Sequence, residues 1–153
     1  MITKEEVENA QQSWGKGVVK IGSLKNDRQA CEKFTEEFID KMYCFENGKV
    51  LFKPTKCKEE QFRPVKEKAI SYFIAGENCP CSEDKGFALA PWTNVRFENC
   101  DIILEGNRAI AMGNYFFTDL NGSETKVEYT FGYKKVDGEL KIDLHHSSLP
   151  FNG

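Results

Sequence analysis

The chain lacks any long apolar run. Its longest uninterrupted ones, such as residues 87–90 and 109–112, are four residues each, far short of the roughly 20 that cross a bilayer, so no membrane role is expected. It lacks an excess of charge: 21 Lys and Arg stand against 24 Asp and Glu, a net −3, interspersed along the sequence. A basic face for nucleic acid is therefore not expected either. Histidine is scarce, with only His145 and His146, which are adjacent. Neighbouring strand residues point to opposite faces and cannot chelate one ion together, and no H-x-x-x-H or H-E-x-x-H spacing occurs. No G-x-S-x-G elbow is present, and a serine-hydrolase triad has no orienting acid beside the histidines. The first six residues hold no apolar stretch of the kind a signal peptide needs. Internal repeats and low-complexity tracts are absent.

Cysteine, by contrast, is not scarce: there are six, at 31, 44, 57, 79, 81 and 100. A chain of 153 residues buries a core without staples, so reduced thiols are expected. The C-x-C spacing of Cys79-Pro80-Cys81 is not a zinc knuckle, and no second pair follows it. Neither a metal nor another cofactor is expected.

The hydrophobic period divides the chain into a helical first half and a stranded second half, the order of an α+β domain. Thr3 and Glu6 form a capping box ahead of Val7, Ala10, Trp14, Val18 and Ile21 at helical spacing, ending near Gly22. Asp27 caps a second stripe of Ala30, Phe34, Phe38, Ile39 and Met42, ending near Tyr43. A turn at residues 46–49 leads to a short strand, 50–52. A third helix is expected from Pro64, placed at its first position, to Gly76. Residues 77–85 read as a surface loop. Four strands follow, 94–104, 108–119, 125–136 and 139–147, separated by Glu105-Gly106-Asn107, Asn121-Gly122 and Asp137-Gly138, so the sheet is an antiparallel meander. One domain, 1–153, accounts for the whole, and it could be one module of a tandem-repeat protein.

Helices packed on a strongly curved meander make a cone that can hold a small ligand. The polar residues placed toward its interior are Thr55, Tyr72 and the run His145-His146-Ser147-Ser148. Each alone has a plain structural reading: a core tyrosine with a satisfied hydroxyl, or a threonine in a turn. The histidine run is more informative, because two hydroxyls flank the chain's only imidazoles. Period-2 alternation sends His145 and Ser147 to one face and His146 and Ser148 to the other. Alternation from Ile142 and Leu144 sends His146 and Ser148 inward if the apolar face is the cavity face.

The last strand, Leu140-Lys141-Ile142-Asp143-Leu144 into His145-His146-Ser147-Ser148-Leu149-Pro150, resembles the C-terminal signature of the iota-class carbonic anhydrases. That family is a branch of the SnoaL-like, nuclear-transport-factor-like cone superfamily. Val50-Leu51-Phe52-Lys53-Pro54-Thr55, Gln61-Phe62-Arg63, Ser71-Tyr72-Phe73, Gly86-Phe87-Ala88, Pro91-Trp92, Ala111-Met112-Gly113-Asn114-Tyr115 and Glu128-Tyr129-Thr130-Phe131-Gly132-Tyr133 are similar to the family in the same order. The ending alone is also similar to the association domain of calmodulin-dependent kinase, an assembly module of the same fold. The resemblance implies a cone-shaped α+β barrel that hydrates carbon dioxide to bicarbonate without a metal. It carries the family's site residues onto Thr55, Tyr72, His145 and Ser147, with His146 and Ser148 as the register alternative.

On that basis His145 is expected to take the proton of a water held by the hydroxyls of Thr55, Tyr72 and Ser147. His145→Ala is expected to remove activity without unfolding the domain. The resemblance further implies a homodimer through the outer sheet face, with Trp92, Phe97, Phe116 and Phe117 as candidate contacts, and, if the source is algal, a plastid location, otherwise a cytoplasmic one. The rival class is a non-catalytic association or ligand-binding cone. A cone-type isomerase or dehydratase would want a carboxylate base, for which there is no clear candidate.

Overall fold

The computed structural model describes residues 1–153. Helix α1 (Lys4–Ser23) opens with the expected capping box: Thr3 Oγ1 accepts the Glu6 N–H and Glu6 accepts the Thr3 N–H. Its stripe of Val7, Trp14, Val18 and Ile21 is buried. Helix α2 (Arg28–Met42) is capped by Asp27 and ends at Tyr43. Strand β1 (Leu51–Lys53) is followed by α3 (Lys66–Ile74), a 3₁₀ turn (Phe87–Leu89) and the long strands β2 (Asn94–Glu105), β3 (Arg108–Thr118), β4 (Glu124–Val136) and β5 (Glu139–Ser148).

The sheet order is β1-β5-β4-β3-β2. Strands β2 to β5 form the antiparallel meander and β1 adds in parallel beside β5. The helices cover its concave face, and the space between is filled by aromatic side chains, among them Trp14, Phe52, Phe73, Tyr115, Phe117, Tyr129 and Phe131. Edge-to-face and stacked ring pairs run through this interior, as expected for rings packed at crystal-like density.

Two bulges bend the sheet. In β2 the pairing shifts between Asn99 and Asp101, leaving Cys100 as the extra residue. Opposite it, a Cβ on Gly113 would lie 2.1 Å from the Glu98 carbonyl oxygen, so only glycine permits that approach. In β5 the pairing jumps from Ile142 to Leu144, leaving Asp143 unpaired while its carboxylate takes both guanidinium nitrogens of Arg108 at 2.8 and 3.0 Å.

Three expectations change. Helix α3 starts at Lys66, with Pro64 ahead of the cap residue Val65 rather than at the first helical position. The cause is Arg63, whose N–H donates to the Phe52 carbonyl and whose buried side chain holds the chain extended there. The 77–85 loop is not wholly superficial, since Cys81 and the Asp84 side chain are completely enclosed. Of the candidate interface aromatics, Phe117 is core and Trp92 and Phe97 pack against the core; Phe116 lies on the outer face, under the Arg96 guanidinium.

Candidate active site

The β5 bulge decides the register. Ile142 points inward, Leu144 lies on the outer face against Gly132, and from there the inward residues are His145 and Ser147, only 2% and 1% exposed. His146 is exposed and Ser148 bonds Glu128 at the surface, so this alternative pair lies outside the cone. Plain alternation from Ile142 failed because one inserted residue flips every later side chain.

The His145 ring is sandwiched between Phe131, centroids 4.0 Å apart, and Phe52, 4.8 Å apart. Its Nδ1 lies 2.8 Å from the Tyr43 hydroxyl and its Nε2 lies 3.1 Å from the Tyr115 hydroxyl. Trp14 Nε1 donates to the Tyr43 hydroxyl at 3.0 Å. Tyr115 donates to Ser147 Oγ at 2.5 Å, and Ser147 Oγ lies 2.5 Å from Thr55 Oγ1. These contacts form one continuous chain from a buried indole to the half-buried Thr55. Burial drives the His145 pKa well below the ordinary imidazole value of 6.5, so the ring is neutral. Burial likewise raises the phenols of Tyr43, Tyr72 and Tyr115, with Ser147 partly offsetting the rise at Tyr115.

Thr55 reaches Ser147 because β1 runs beside β5, pairing Phe52 with His145, and Pro54 then turns the chain across the strand end. Lys53 steadies the same corner by donating to the Ser147 carbonyl at 2.9 Å. Tyr72, on the inner face of α3, accepts the Lys56 N–H at 3.2 Å, which leaves its own hydrogen uncommitted. Thr55 and Tyr72 thus meet where residues 55–56 pass over α3. An open cleft of about 490 Å³ reaches Tyr72 and Lys56, the residue after Thr55, with Lys85, Phe87 and Trp92 among its other walls.

A buried ion pair holds this loop. Arg63 and Asp84 make two 2.8 Å bonds with both side chains fully enclosed. Asp84 also accepts from Ser71 at 2.6 Å, and Arg63 donates to the carbonyls of Glu60 and Lys68. Glu83 accepts the N–H groups of Lys58, Glu59 and Glu60. The Cys57 thiol sits against Arg63, yet burial pushes its pKa up to about 11, so it is inert at neutral pH. All six cysteines are free, and no three His, Cys, Asp or Glu side chains converge on a point.

The structure therefore brings Thr55, Tyr72, His145 and Ser147 into one neighbourhood. It differs from the sequence reading in one respect: both His145 nitrogens are taken by tyrosines, so the ring reaches the cleft only through Tyr115 and Ser147. Trp14, Tyr43 and Tyr115 were missed. Tyr115 carried a signal as an inward residue of β3, whereas nothing in the sequence ties Tyr43 or Trp14 to a histidine more than a hundred residues away.

Fold and site together define a cone-shaped α+β protein of the nuclear-transport-factor-like class, with a hydroxyl-rich pocket built around a neutral imidazole. Within that class, the chain belongs to the metal-independent carbonic anhydrases, whose family pattern matches residues 5–149. It is 40% identical to a metal-independent carbonic anhydrase of Nostoc sp. (strain PCC 7120), over 98% of this chain and 75% of that one. It superposes with a TM-score of 0.95 on an iota-carbonic anhydrase from a cyanobacterium complexed with bicarbonate, at 38% identity over 99% of this chain and 94% of that one. A Xanthomonas campestris protein described as a calcium/calmodulin-dependent kinase II association domain shares the fold alone, at TM-score 0.61 and 23% identity, over 97% of this chain and 89% of that one. No helix is long and apolar enough to cross a membrane.

Proposed function

We propose that this chain hydrates carbon dioxide at the hydroxyls of Thr55, Tyr72 and Ser147, with His145 ordering them from behind. The observation that carries the reading is the unbroken chain of hydrogen bonds that ends at Thr55, beside a Tyr72 hydroxyl that accepts the Lys56 N–H and keeps its own hydrogen to donate. Its further support is the bicarbonate in the cyanobacterial relative of the same fold.

A water held at Thr55 attacks the carbon. A C–O bond forms as one C=O π pair moves onto its oxygen, which accepts the Tyr72 hydrogen bond. Thr55 Oγ1 takes the proton that the water loses while its own hydrogen passes to the carbon dioxide oxygen. The product is carbonic acid, which ionises in solvent to bicarbonate and a proton. No net charge is created inside the pocket, so the step asks for no strong base, in keeping with an imidazole of suppressed basicity. His145 then acts by orientation, a role that replaces direct proton acceptance. Holding reactants and hydroxyls within about 3–3.5 Å supplies much of the rate.

The test is stopped-flow hydration of carbon dioxide with Thr55→Val and Tyr72→Phe, each expected to lose about a hundredfold in kcat/KM. Wild-type rates in both would end the assignment.

The same reading pairs two copies across the convex sheet face, where Ile103 and Met112 are 58% and 56% exposed and Ile110 faces Ile103 across the strands. Met112→Asp is expected to convert a dimer to a monomer in sedimentation velocity, and an unchanged species would remove this interface. Six unpaired thiols fit a reducing compartment such as the cytoplasm. The named anhydrase relatives are cyanobacterial, which lends a plastid no support.

A further inference from the structure

We infer that Trp14 and Tyr43 are positioning residues that fix His145 in the Nε2–H tautomer and so turn the hydroxyl hydrogens of Tyr115, Ser147 and Thr55 toward the cleft. This inference rests on the catalytic reading above and assigns roles to two residues that do not touch the reacting atoms.

The argument is a count of hydrogens. An indole N–H can only donate, so Trp14 commits one side of the Tyr43 oxygen to accepting. Tyr43 has a single hydrogen, and its other hydrogen-bond partner is His145 Nδ1 at 2.8 Å. The phenol therefore donates, and Nδ1 accepts. A neutral imidazole carries one N–H, which then sits on Nε2 and donates to Tyr115 at 3.1 Å. Tyr115 passes its one hydrogen to Ser147, Ser147 passes its own to Thr55, and the Thr55 hydrogen is left to point toward the Tyr72 hydroxyl that lines the cleft.

The opposite order is disfavoured at one identifiable atom. If Nδ1 carried the hydrogen, Tyr43 would receive two donors, and its own hydrogen would be left in a fully enclosed space without an acceptor. A doubly protonated ring is disfavoured at the same atom, since it too would donate from Nδ1 to Tyr43, and its charge would be buried with only two tyrosine hydroxyls and no carboxylate as partners. Burial acts in the same direction on the ring's proton affinity.

Packing makes Trp14 suited to this task. It stacks on Tyr115 at 5.5 Å, meets His145 edge-on at 5.6 Å and is 2% exposed. Its indole therefore has no room to turn its N–H away from Tyr43.

The test is long-range ¹H–¹⁵N correlation NMR on the full chain labelled with ¹⁵N-histidine. Only two histidines contribute, and His146→Gln identifies the exposed one. In the wild type, His145 is expected to show a single protonated nitrogen, Nε2, unchanged from neutral to mildly acidic pH. Trp14→Phe keeps an aromatic ring and deletes the N–H. It is expected to give a mixture of tautomers together with an about tenfold fall in kcat/KM. Tyr43→Phe, which removes the donor to Nδ1, is expected to do the same. If Trp14→Phe does not fold, the wild type and Tyr43→Phe still decide the matter.

A wild-type Nδ1–H or imidazolium pattern would overturn the inference. So would a pure Nε2–H pattern in both variants, or a fall in activity with no change in the nitrogen pattern, which would mark a packing effect. The pattern is read without substrate, so a failure of the catalytic reading, seen as wild-type rates in the Thr55 and Tyr72 variants, registers separately.

Discussion

Thr55→Val separates catalysis from stability better than any other single change. Valine copies the branched shape of threonine and deletes only Oγ1, which is bonded to Ser147 at 2.5 Å. The lost hydrogen bond is worth about 1 kcal/mol net, and because Ser147 is only 1% exposed its hydroxyl is left buried without that partner, which brings the loss to about 1–3 kcal/mol. The barrier should suffer more. A positioned proton-transfer group is typically worth about 10²–10⁴ in rate. The expected result is a fall of about a hundredfold or more in kcat/KM, with an unfolding free energy lowered by about 1–3 kcal/mol. Stopped-flow indicator assays and urea denaturation measure the two quantities on the same preparation. A variant within about threefold of wild type would refute the role of Thr55.

Two further outcomes follow from the burial of His145. Its folded pKa is depressed below 6.5, so the unfolded chain binds the proton first as pH falls. Stability from this group is complete above pH about 6.5 and declines below it by about 1.4 kcal/mol per pH unit until the folded pKa is reached. Urea denaturation at pH about 7.5 and about 5.5 should reveal the loss, and equal stability at both would show that the ring is not held neutral. His145→Ala is expected to destabilise the domain by about 3–5 kcal/mol, because it opens a gap between Phe52 and Phe131 and orphans two buried phenols. A melting temperature close to wild type would contradict that packing. The structure thus replaces the sequence expectation that this variant leaves the domain intact.

How much was legible in the sequence depends on the range over which each feature is encoded. The capping box at Thr3, the Asp27 cap and the glycine turns between strands are local signals, and each falls where it was expected. The inward face of β4, Val127, Tyr129, Phe131 and Tyr133, follows from period two alone. The orientation of the histidine pair did not follow, because a bulge at Asp143 depends on Arg108, 35 residues earlier. Similarly, the 77–85 loop reads as polar surface until Asp84 is seen bonded to Arg63. A buried charge is recognisable only with its partner, and that partner lies 21 residues away. The resemblance to a known family pointed to Thr55, Tyr72, His145 and Ser147. Their connection through Tyr43 and Tyr115 is a property of the folded cone.

The central claim is that hydroxyls ordered by a neutral imidazole, rather than a metal-bound hydroxide, hydrate carbon dioxide. A metal-bound water would ionise near pH 7 and impose that ionisation on the rate. The decisive measurement is stopped-flow hydration on chelator-stripped protein whose metal content is checked by elemental analysis, repeated across neutral pH. The account predicts that kcat/KM survives stripping, stays flat between pH about 6.5 and about 8 and disappears in Thr55→Val. Activity that vanishes on stripping, returns with a stoichiometric metal and follows an ionisation near pH 7 would contradict it.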